Sequence, residues 1–535
     1  MLPEDKFFET RDERKIWERY CGFLDLSLEE FMKIQRRLLI EQIELVSDSP
    51  LGKKIMNGSK PKDVEEFRRL VPLTTYEDYE PYLGQQQEDV LAQKPYYWCH
   101  SAGRGGYFKW VPYTHRGFEA FAKSSIAANI IAAAKSKGDV NFRPGARMLL
   151  LMPPRPYTSG SGIHYLSKRF TMELIPSAEE VEQMEFTERV ATGFRMALET
   201  GVDVVFSLAS VLVKAGESMS QHAQRTGFSL KTLKPKILWR IICAFLRSKI
   251  ARRAMLPRDL WKVKSIVTGG PDVSIYMDRI THYWGKVPYA IYGATEAFPL
   301  ALQGCNRKWA TFIPDVAFWE FIPEEEHWKG MDDPSYQPAT VLFDKVEPGK
   351  TYELVLTHFY GMPFLRYRMK DLVTFVSLRD EEAGINLPQM VFKGRVEDAI
   401  NLGGLTRLDE KTIWQAIVNS GLEYEDWSAR KEYAGDQSYL SIYLELKEAR
   451  AINEIKELIN HRLKEIDVDY RDVETMLGIQ PIKVTLLSPG TFQRYYEEKR
   501  KEGADLARLK PPHMNASDAV IQRLIELSQA SQPRL

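Results

Sequence analysis

Apolar positions recur at three- and four-residue spacing through much of the first hundred residues. The stretch SLEEFMKIQRRLLIEQIELV, Ser27 to Val46, shows the pattern most cleanly. That spacing places the apolar side chains on one face of a helix. Ser27, with Glu30 three positions on, predicts a capping box at its start. From residue 115 onward the rhythm changes. Short continuous apolar runs appear, each followed by a turn and then by helical periodicity: ARMLLLMPP (Ala146 to Pro154), GVDVVFSL (Gly201 to Leu208), VKSIVTGGP (Val263 to Pro271) and VPYAIYG (Val287 to Gly293). Strands buried on both faces read as unbroken apolar runs, and their alternation with helices predicts a mainly parallel sheet covered by helices. Ligands of such sheets bind beyond the carboxyl ends of the strands. The rule singles out Thr268-Gly269-Gly270-Pro271 and the segment Gly293 to Glu296.

Residues 310–376 are richer in strand patterns, as in TFIPDVAFWEFIP, TYELVLTH and FLRYRMKDLVTF, and predict a strand-rich subdomain. The character shifts again after FKGRVEDAINLGGLTRLDE, Phe392 to Glu410. An alternating strand SYLSIYLELK, a helix AINEIKELINHRLKEI and a strand IKVTLLSPG then form a small α+β unit of ordinary domain size. The expected fold class is therefore α/β. A large N-terminal domain spans residues 1–393, a linking segment 394–404, and a small C-terminal domain 405–535. No internal repeat is visible.

Composition narrows the function classes. Lys plus Arg equals Asp plus Glu, 73 each. A chain without a basic excess is a poor candidate for nucleic-acid binding. The four cysteines stand far apart with no CxxC pair, which fits a reduced cytoplasmic setting better than a disulfide framework. Nine scattered histidines show no close metal-ligand spacing. The start MLPEDKFFETRDERK is too charged for a signal peptide. The most apolar helical stretch, ILWRIICAFLRSKIARRAML (Ile237 to Leu256), carries Arg240, Arg247, Lys249, Arg252 and Arg253 and is too short and charged to span a bilayer. Its basic amphipathic character suits either a membrane surface or a helix half-buried against the core.

Several segments can carry chemistry. In CHSAGRGGYFKWVPYT (Cys99 to Thr114), Gly103, Gly105 and Gly106 let the backbone approach a phosphate, Ser101 offers a hydroxyl, and Lys109 a counter-charge. A Gly-rich turn is the alternative. In YGATEA, Glu296 suits magnesium, which prefers carboxylate and phosphate oxygens, and Thr295 can donate to a phosphate. The alternative is a helix start with Thr295 as its cap. In FLRYRMKDLV, Arg366 and Arg368 share one face of a strand and Tyr367 takes the other. Asp371, at or just beyond the strand end, can accept both hydroxyls of a ribose; an exposed, arginine-flanked edge is the alternative. GRVEDAINLGG marks the boundary, and Lys510 in SPGTFQRYYEEKRKEGADLARLKPPHM is by itself one basic residue among many.

The order of these pieces is more specific than any of them. SAGRGGYFK, YGATE, YRMKD and GRVEDAINLGG follow one another as in the adenylate-forming superfamily of acyl and aminoacyl activating enzymes, which the chain resembles. FWEFIP, GKTYELVLTHFYGMPFLRYR and GTF…EGADLARLKPPH sharpen the resemblance to the acyl-acid amido synthetases, whose plant members conjugate auxin or jasmonate to amino acids. SGSGIHYLSKRFTMELIPS (Ser159 to Ser177) is more similar to phenylacetate–CoA ligases. The likeness runs from about residue 30 to residue 515.

The resemblance implies ATP and magnesium as cofactors and a small carboxylic acid as substrate, joined first to AMP and then to an amine, or alternatively to coenzyme A. It implies magnesium on Glu296, ribose on Asp371, and adenine near Tyr292, Gly269, Gly270 and Pro271. Thr295, in the loop with Gly293 and Ala294, would contact the α-phosphate. Arg395 would approach the ribose or phosphate at a hinge about which the small domain turns, Lys510 would be the catalytic cation on the reacting phosphate, and the opening loop would take pyrophosphate. The acid would lie by Gly293 and the segment holding Tyr157 and His164; a histidine packed on aromatics at a helix start is the alternative for His164. The departures concentrate in the first loop. Ala102, Arg104 and Gly105 replace hydroxyl residues, Phe108 replaces a proline, and Lys370 replaces the glycine before Asp371. Arg104 offers a charged fork to phosphate oxygens in compensation. A non-catalytic nucleotide-binding relative with an eroded loop is the reading from another class.

Overall fold

In a computed structural model, the described residues are 1–100, 109–184, 186–225, 234–269, 273–332, 336–395, 400–402, 406–408, 410–435, 437–477, 480–501, 513–516 and 518–529. They fall into two compact units, one reaching to Arg395 and one beginning at Ile400.

The first unit opens with helices, among them Leu28–Val46. Its predicted capping box is present: Ser27 Oγ accepts from Glu30 N–H at 3.2 Å, and Ser27 N–H donates to the Glu30 carboxylate at 2.8 Å. A hairpin of β1 (Tyr97–His100) and β2 (Trp110–Tyr113) follows. The parallel strands are β3 (Ala146–Leu151), β4 (Met172–Ile175), β5 (Val204–Leu208), β6 (Ser265–Gly269) and β7 (Tyr289–Tyr292). Antiparallel strands continue with β8 (Ala301–Gln303), β9 (Ala310–Phe312), β10 (Ala317–Pro323), β11 (Val341–Leu342), β12 (Thr351–His358), β13 (Tyr367–Ser377) and β14 (Gln389–Arg395). All but the hairpin belong to one twelve-stranded sheet, ordered β11-β10-β12-β13-β14-β9-β8-β7-β6-β5-β3-β4. The expected parallel strands and the strand-rich segment are thus the two halves of one mixed sheet.

The parallel half explains its own sequence pattern. Successive side chains of a strand point to opposite faces. Met148, Leu150, Val204, Phe206 and Val267 enter one core with the helix His115–Ala133. Leu149, Leu151, Val205 and Ile266 enter a second core with the helices Ala209–Arg225, Pro235–Ile250 and Val273–Trp284. With apolar neighbours on both sides, most positions in these strands are apolar, and the polar exceptions include Ser207, Ser265 and Thr268, small hydroxyl residues that are themselves buried.

The second unit carries a short antiparallel pair, β15 (Ile400–Leu402) with β16 (Thr406–Leu408), and a three-stranded sheet of β17 (Tyr424–Ala434), β18 (Gln437–Leu446) and β19 (Ile482–Leu487). β18 pairs antiparallel with β17 and parallel with β19; the crossover between β18 and β19 contains the predicted helix, Ile452–Ile466. Among the described residues, no helix is long and apolar enough to cross a membrane.

Candidate functional site

β7 is where the sheet changes character: β6 lies parallel on one side and β8 antiparallel on the other. Ligands of parallel sheets bind beyond the carboxyl ends of the strands, and the loop that follows β7 starts from such an end. The chain leaves β7 at Tyr292 and runs through Gly293, Ala294, Thr295 and Glu296 as an irregular loop, so the alternative of a capped helix does not hold. Gly293 is dictated by close approach, since a Cβ there would stand 2.3 Å from the Phe298 ring.

The loop is tied down by its carbonyls. Thr295 C=O accepts from the Tyr113 hydroxyl at 2.9 Å and from Thr158 Oγ1 at 3.5 Å. Glu296 C=O lies 2.6 Å from Nε2 of His358, at the end of β12, while Phe364 N–H donates to Nδ1 of the same ring at 3.3 Å. A carbonyl can only accept and an amide N–H can only donate, so this network assigns His358 the neutral Nε2–H tautomer. Burial agrees, lowering its pKa to about 3. His358, Tyr113 and Thr158 are supports that periodicity could not reveal, because each meets the loop from a distant element.

The central feature is a reciprocal brace. The Tyr292 hydroxyl donates to Asp371 Oδ2 at 2.7 Å, and the Tyr367 hydroxyl donates to Glu296 Oε1 at 3.1 Å. Each motif has a tyrosine four residues before its carboxylate, and each tyrosine holds the carboxylate of the other motif. Glu296 and Asp371 are both buried, at 5% exposure each, and buried carboxylates require such donors. Lys109 joins the group, its Nζ donating to the Tyr367 hydroxyl at 3.5 Å and lying 5.4 Å from the centre of the Tyr76 ring.

β7 and β13 stand four steps apart in the strand order. A flat sheet would separate them by about 19 Å, at roughly 4.8 Å per step. The sheet instead folds over where β8 and β9 are three residues each and one pair, Met390 with Ala310, joins β14 to β9.

Asp371 lies inside β13 rather than at its end. The strand is bulged there: β12 pairing jumps between Glu353–Leu372 and Val355–Arg368, and Lys370 has φ +59°. The left-handed backbone that a glycine would supply is therefore kept with a lysine in its place. Arg366 and Arg368 form no exposed edge. Arg366 forks onto Glu320 of β10 at 2.9 and 3.0 Å. Arg368 forks onto Glu353 of β12 at 2.6 and 2.9 Å, and His327 Nδ1 meets the same carboxylate at 2.7 Å. Burial raises the pKa of Glu353, but the His327 and Arg368 contacts outweigh it, and the net direction is downward. These two ion pairs clamp the strand on either side of Tyr367.

Of the other predicted residues, Gly269 ends β6 beside Ile291 of β7. Arg395 stands opposite Asp371 in the β13–β14 register. Tyr157 precedes the helix Thr158–Ser167, its ring 4.6 Å from His100. His164 lies in the last turn of that helix, about 10 Å further along at 1.5 Å per residue, with its ring 6.1 Å from Tyr97 and its Nδ1 buried without a hydrogen-bond partner. Burial, with Arg155 and Lys168 nearby, lowers its pKa. The structure therefore brings Tyr292, Thr295, Glu296, Asp371 and Lys109 together and leaves His164 two turns from Thr158. Ser101, Gly103, Arg104, Gly105, Gly106, Gly270, Pro271 and Lys510 lie outside the described residues.

Among the described residues no group of three or more His, Cys, Asp or Glu side chains can hold a metal. A single carboxylate such as Glu296 still fits magnesium, which keeps its waters and takes phosphate oxygens from a substrate.

Residues 21–266 match the GH3 family N-terminal domain, 310–395 the GH3 family central domain and 411–519 the GH3 family C-terminal domain. Similar curated proteins include a jasmonoyl–L-amino acid synthetase, JAR4, of Nicotiana attenuata (24% identical, covering 47% of this chain and 43% of that protein). Indole-3-acetic acid-amido synthetase GH3.15 of Arabidopsis thaliana is 25% identical over 52% of this chain and 49% of its own. The matched segments span about half the length of these two relatives. GH3.10 of Arabidopsis thaliana, an indole-3-acetic acid-amido synthetase, aligns at 21% identity over 94% of this chain and 96% of its own. Among solved structures, the GH3.15 acyl acid amido synthetase in complex with 2,4-DB superposes with a TM-score of 0.54 at 18% identity, covering 98% of this chain and 97% of that one. A 2-hydroxyisobutyryl-CoA ligase in complex with 2-HIB-AMP and CoA gives 0.57 at 15% identity, covering 89% and 93%. At these identities the superpositions establish the fold.

Proposed function

Because the chain belongs to the GH3 family, we propose that it activates a small carboxylic acid with ATP as an acyl adenylate and passes the acyl group to the amine of an amino acid, forming an amide. The observation that carries this reading is the reciprocal brace, which fixes the two motif carboxylates, Glu296 and Asp371, and brings Lys109 to the same place.

In the first half-reaction an oxygen of the substrate carboxylate bonds to the α-phosphorus of ATP, and the bond from that phosphorus to pyrophosphate breaks. The chain contributes no nucleophile. It positions two anions against each other and meets the charge that develops on the phosphoryl oxygens. Asp371 accepts the ribose hydroxyls, and Tyr292 both holds Asp371 and offers a ring face tilted 34° to Phe392 at 5.4 Å. A magnesium ion on Glu296 would supply charge neutralisation at the phosphates. Lys109 and Lys510 provide the protein's own cations, and Thr295 donates to the α-phosphate. In the second half-reaction the amine attacks the acyl carbon and AMP departs. Movement of the second unit about residues 394–404 and a cytoplasmic setting belong to the same proposal.

The test is pyrophosphate release from ATP with a panel of aromatic, aliphatic and jasmonate-like acids. An amide with stoichiometric AMP, formed only when an amino acid is supplied, supports the proposal. Consumption of coenzyme A without an amine requirement reassigns the protein to thioester formation. ATP binding with no pyrophosphate from any acid reassigns it to nucleotide binding alone.

A further inference from the structure

The helix Pro235–Ile250 has two apolar faces, and the core uses only one. Ile237, Ile241, Ala244 and Ser248 are buried at 0–8% exposure, a stripe at helical spacing that packs on the second core. At 100° per residue the opposite side of the cylinder carries Trp239, Ile242, Leu246 and Ile250, with Phe245 at its margin. These are exposed by 70%, 41%, 55%, 84% and 52% respectively. They are five of the seventeen large apolar side chains exposed among the described residues. Scattered surface exposure does not concentrate so many on one sixteen-residue helix, and contiguous exposed apolar surface of this kind marks an interaction site.

Charge identifies the partner. From Pro235 to Pro257 the chain contains no Asp or Glu, but carries Lys236, Arg240, Arg247, Lys249, Arg252 and Arg253. Some are spent on the protein: Arg240 donates to Ala197 C=O, Arg247 to Asp259 C=O, and Arg253 forks onto the Asp259 carboxylate. Lys236, Lys249 and Arg252 remain exposed. On the helical wheel Lys236 and Arg247 flank one side of the outer apolar stripe and Lys249 the other, the last with its ammonium 5.2 Å from the Phe245 ring centre. An apolar stripe containing Trp and Phe, bordered on both sides by cations and free of anions, matches the acyl–headgroup boundary of an anionic bilayer. The stripe faces directly away from the buried one, so the helix can lie flat in that boundary while the body of the protein stays in water. Its length and charge exclude spanning.

We propose that the outer face of the helix Pro235–Ile250 docks the protein peripherally on anionic membranes. The test uses the full chain and flotation with vesicles of phosphatidylcholine alone or with 30% phosphatidylserine. Binding is expected to the anionic vesicles, weakened by salt, and absent from the neutral ones. Leu246→Glu with Ile250→Glu places anions on exposed positions without touching the core. It should abolish flotation while leaving the urea unfolding midpoint and activity in free solution at wild-type values. Lys249→Gln with Arg252→Gln should weaken partition to anionic vesicles by roughly tenfold or more. No flotation of the wild-type chain at low salt overturns the proposal. So does flotation that survives Leu246→Glu/Ile250→Glu. A concentration-dependent dimer abolished by that variant, with no vesicle binding, also overturns it and gives the face to a second copy of the chain.

Discussion

The Tyr367 hydroxyl is the atom through which Lys109 and Glu296 communicate, and Tyr367→Phe removes it alone. The ring stays: it stacks on Phe364 at 4.4 Å and 14°, and meets the Tyr79 ring at 6.3 Å. No cavity opens, so the whole effect is polar. Glu296, at 5% exposure, loses a donor at 3.1 Å. A hydrogen bond to a charged group contributes about 1.5–3 kcal/mol, most of it recovered as a penalty when one partner is left buried. Two measurements separate the consequences. Urea unfolding followed by tryptophan fluorescence should show the first unit destabilised within that range. Pyrophosphate release at saturating ATP and acid should fall by roughly 10- to 150-fold, the same energy at tenfold per 1.36 kcal/mol, because a loosened Glu296 no longer presents a fixed carboxylate. Tyr292→Phe is the control from the other arm of the brace. It frees Asp371, so its main effect should be a raised KM for ATP with a smaller fall in kcat. If Tyr367→Phe matches the wild type in both midpoint and rate, the brace is not what organises the site, and the assignment built on it fails.

Three further outcomes follow from the same structure. Glu320→Ala leaves Arg366 buried without its counter-ion and strips the acceptor from Thr340, which donates at 2.6 Å; unfolding of the first unit should become easier by about 3–5 kcal/mol, and a loss below 1 kcal/mol would contradict the buried-pair reading. Lys370→Gly removes a side chain from φ +59°; relief of about 1–2 kcal/mol of left-handed strain, less about 0.5–1 kcal/mol for glycine's entropy, should leave the protein unchanged or up to about 1.5 kcal/mol more stable, and a clear destabilisation would show that the lysine side chain is needed. His513 is held by Asp426 at 2.8 Å and Glu410 at 2.7 Å and stacks on Trp427 at 4.5 Å. Burial lowers its pKa but the two carboxylates outweigh it, so the folded value is raised. That contribution is complete below the unfolded value of about 6.5 and is lost as pH rises through the folded pKa; the second unit should unfold more readily at pH 9 than at pH 6, and His513→Gln should flatten that dependence.

Much of the architecture was legible because it follows from local period. Continuous apolar runs foretold the parallel strands, since their alternate residues feed two different cores, and the Ser27–Glu30 spacing foretold a cap that forms. The site was legible only as a set of motifs in order. Sequence spacing put Arg366 and Arg368 on one strand, whereas Arg366 stands just before β13 with φ +45°, and it could not say that Glu320 and Glu353 wait to neutralise the two arginines. It placed Asp371 at a strand end, whereas the bulge at Lys370 sets it inside the strand. His358 gave no signal at all. Its role depends on a carbonyl 62 positions away in the chain, and no periodicity carries that information.

The two carboxylate motifs, YGATE and YRMKD, can be read as independent elements, each with its own tyrosine. The structure argues that they are one element in two pieces. Hydrogen bonding within each motif would have allowed either carboxylate to be held while the other half of the sheet was still open. Crossing the bonds removes that freedom: Glu296 gains its tyrosine donor only when β13 is in place, and Asp371 gains its own only when β7 is. Both conditions depend on the short seam of β8, β9 and β14, where a single pair joins the antiparallel half to the rest. A protein that must hold two buried anions close together benefits from this coupling. Neither charge loses its water until the donor that replaces it has arrived.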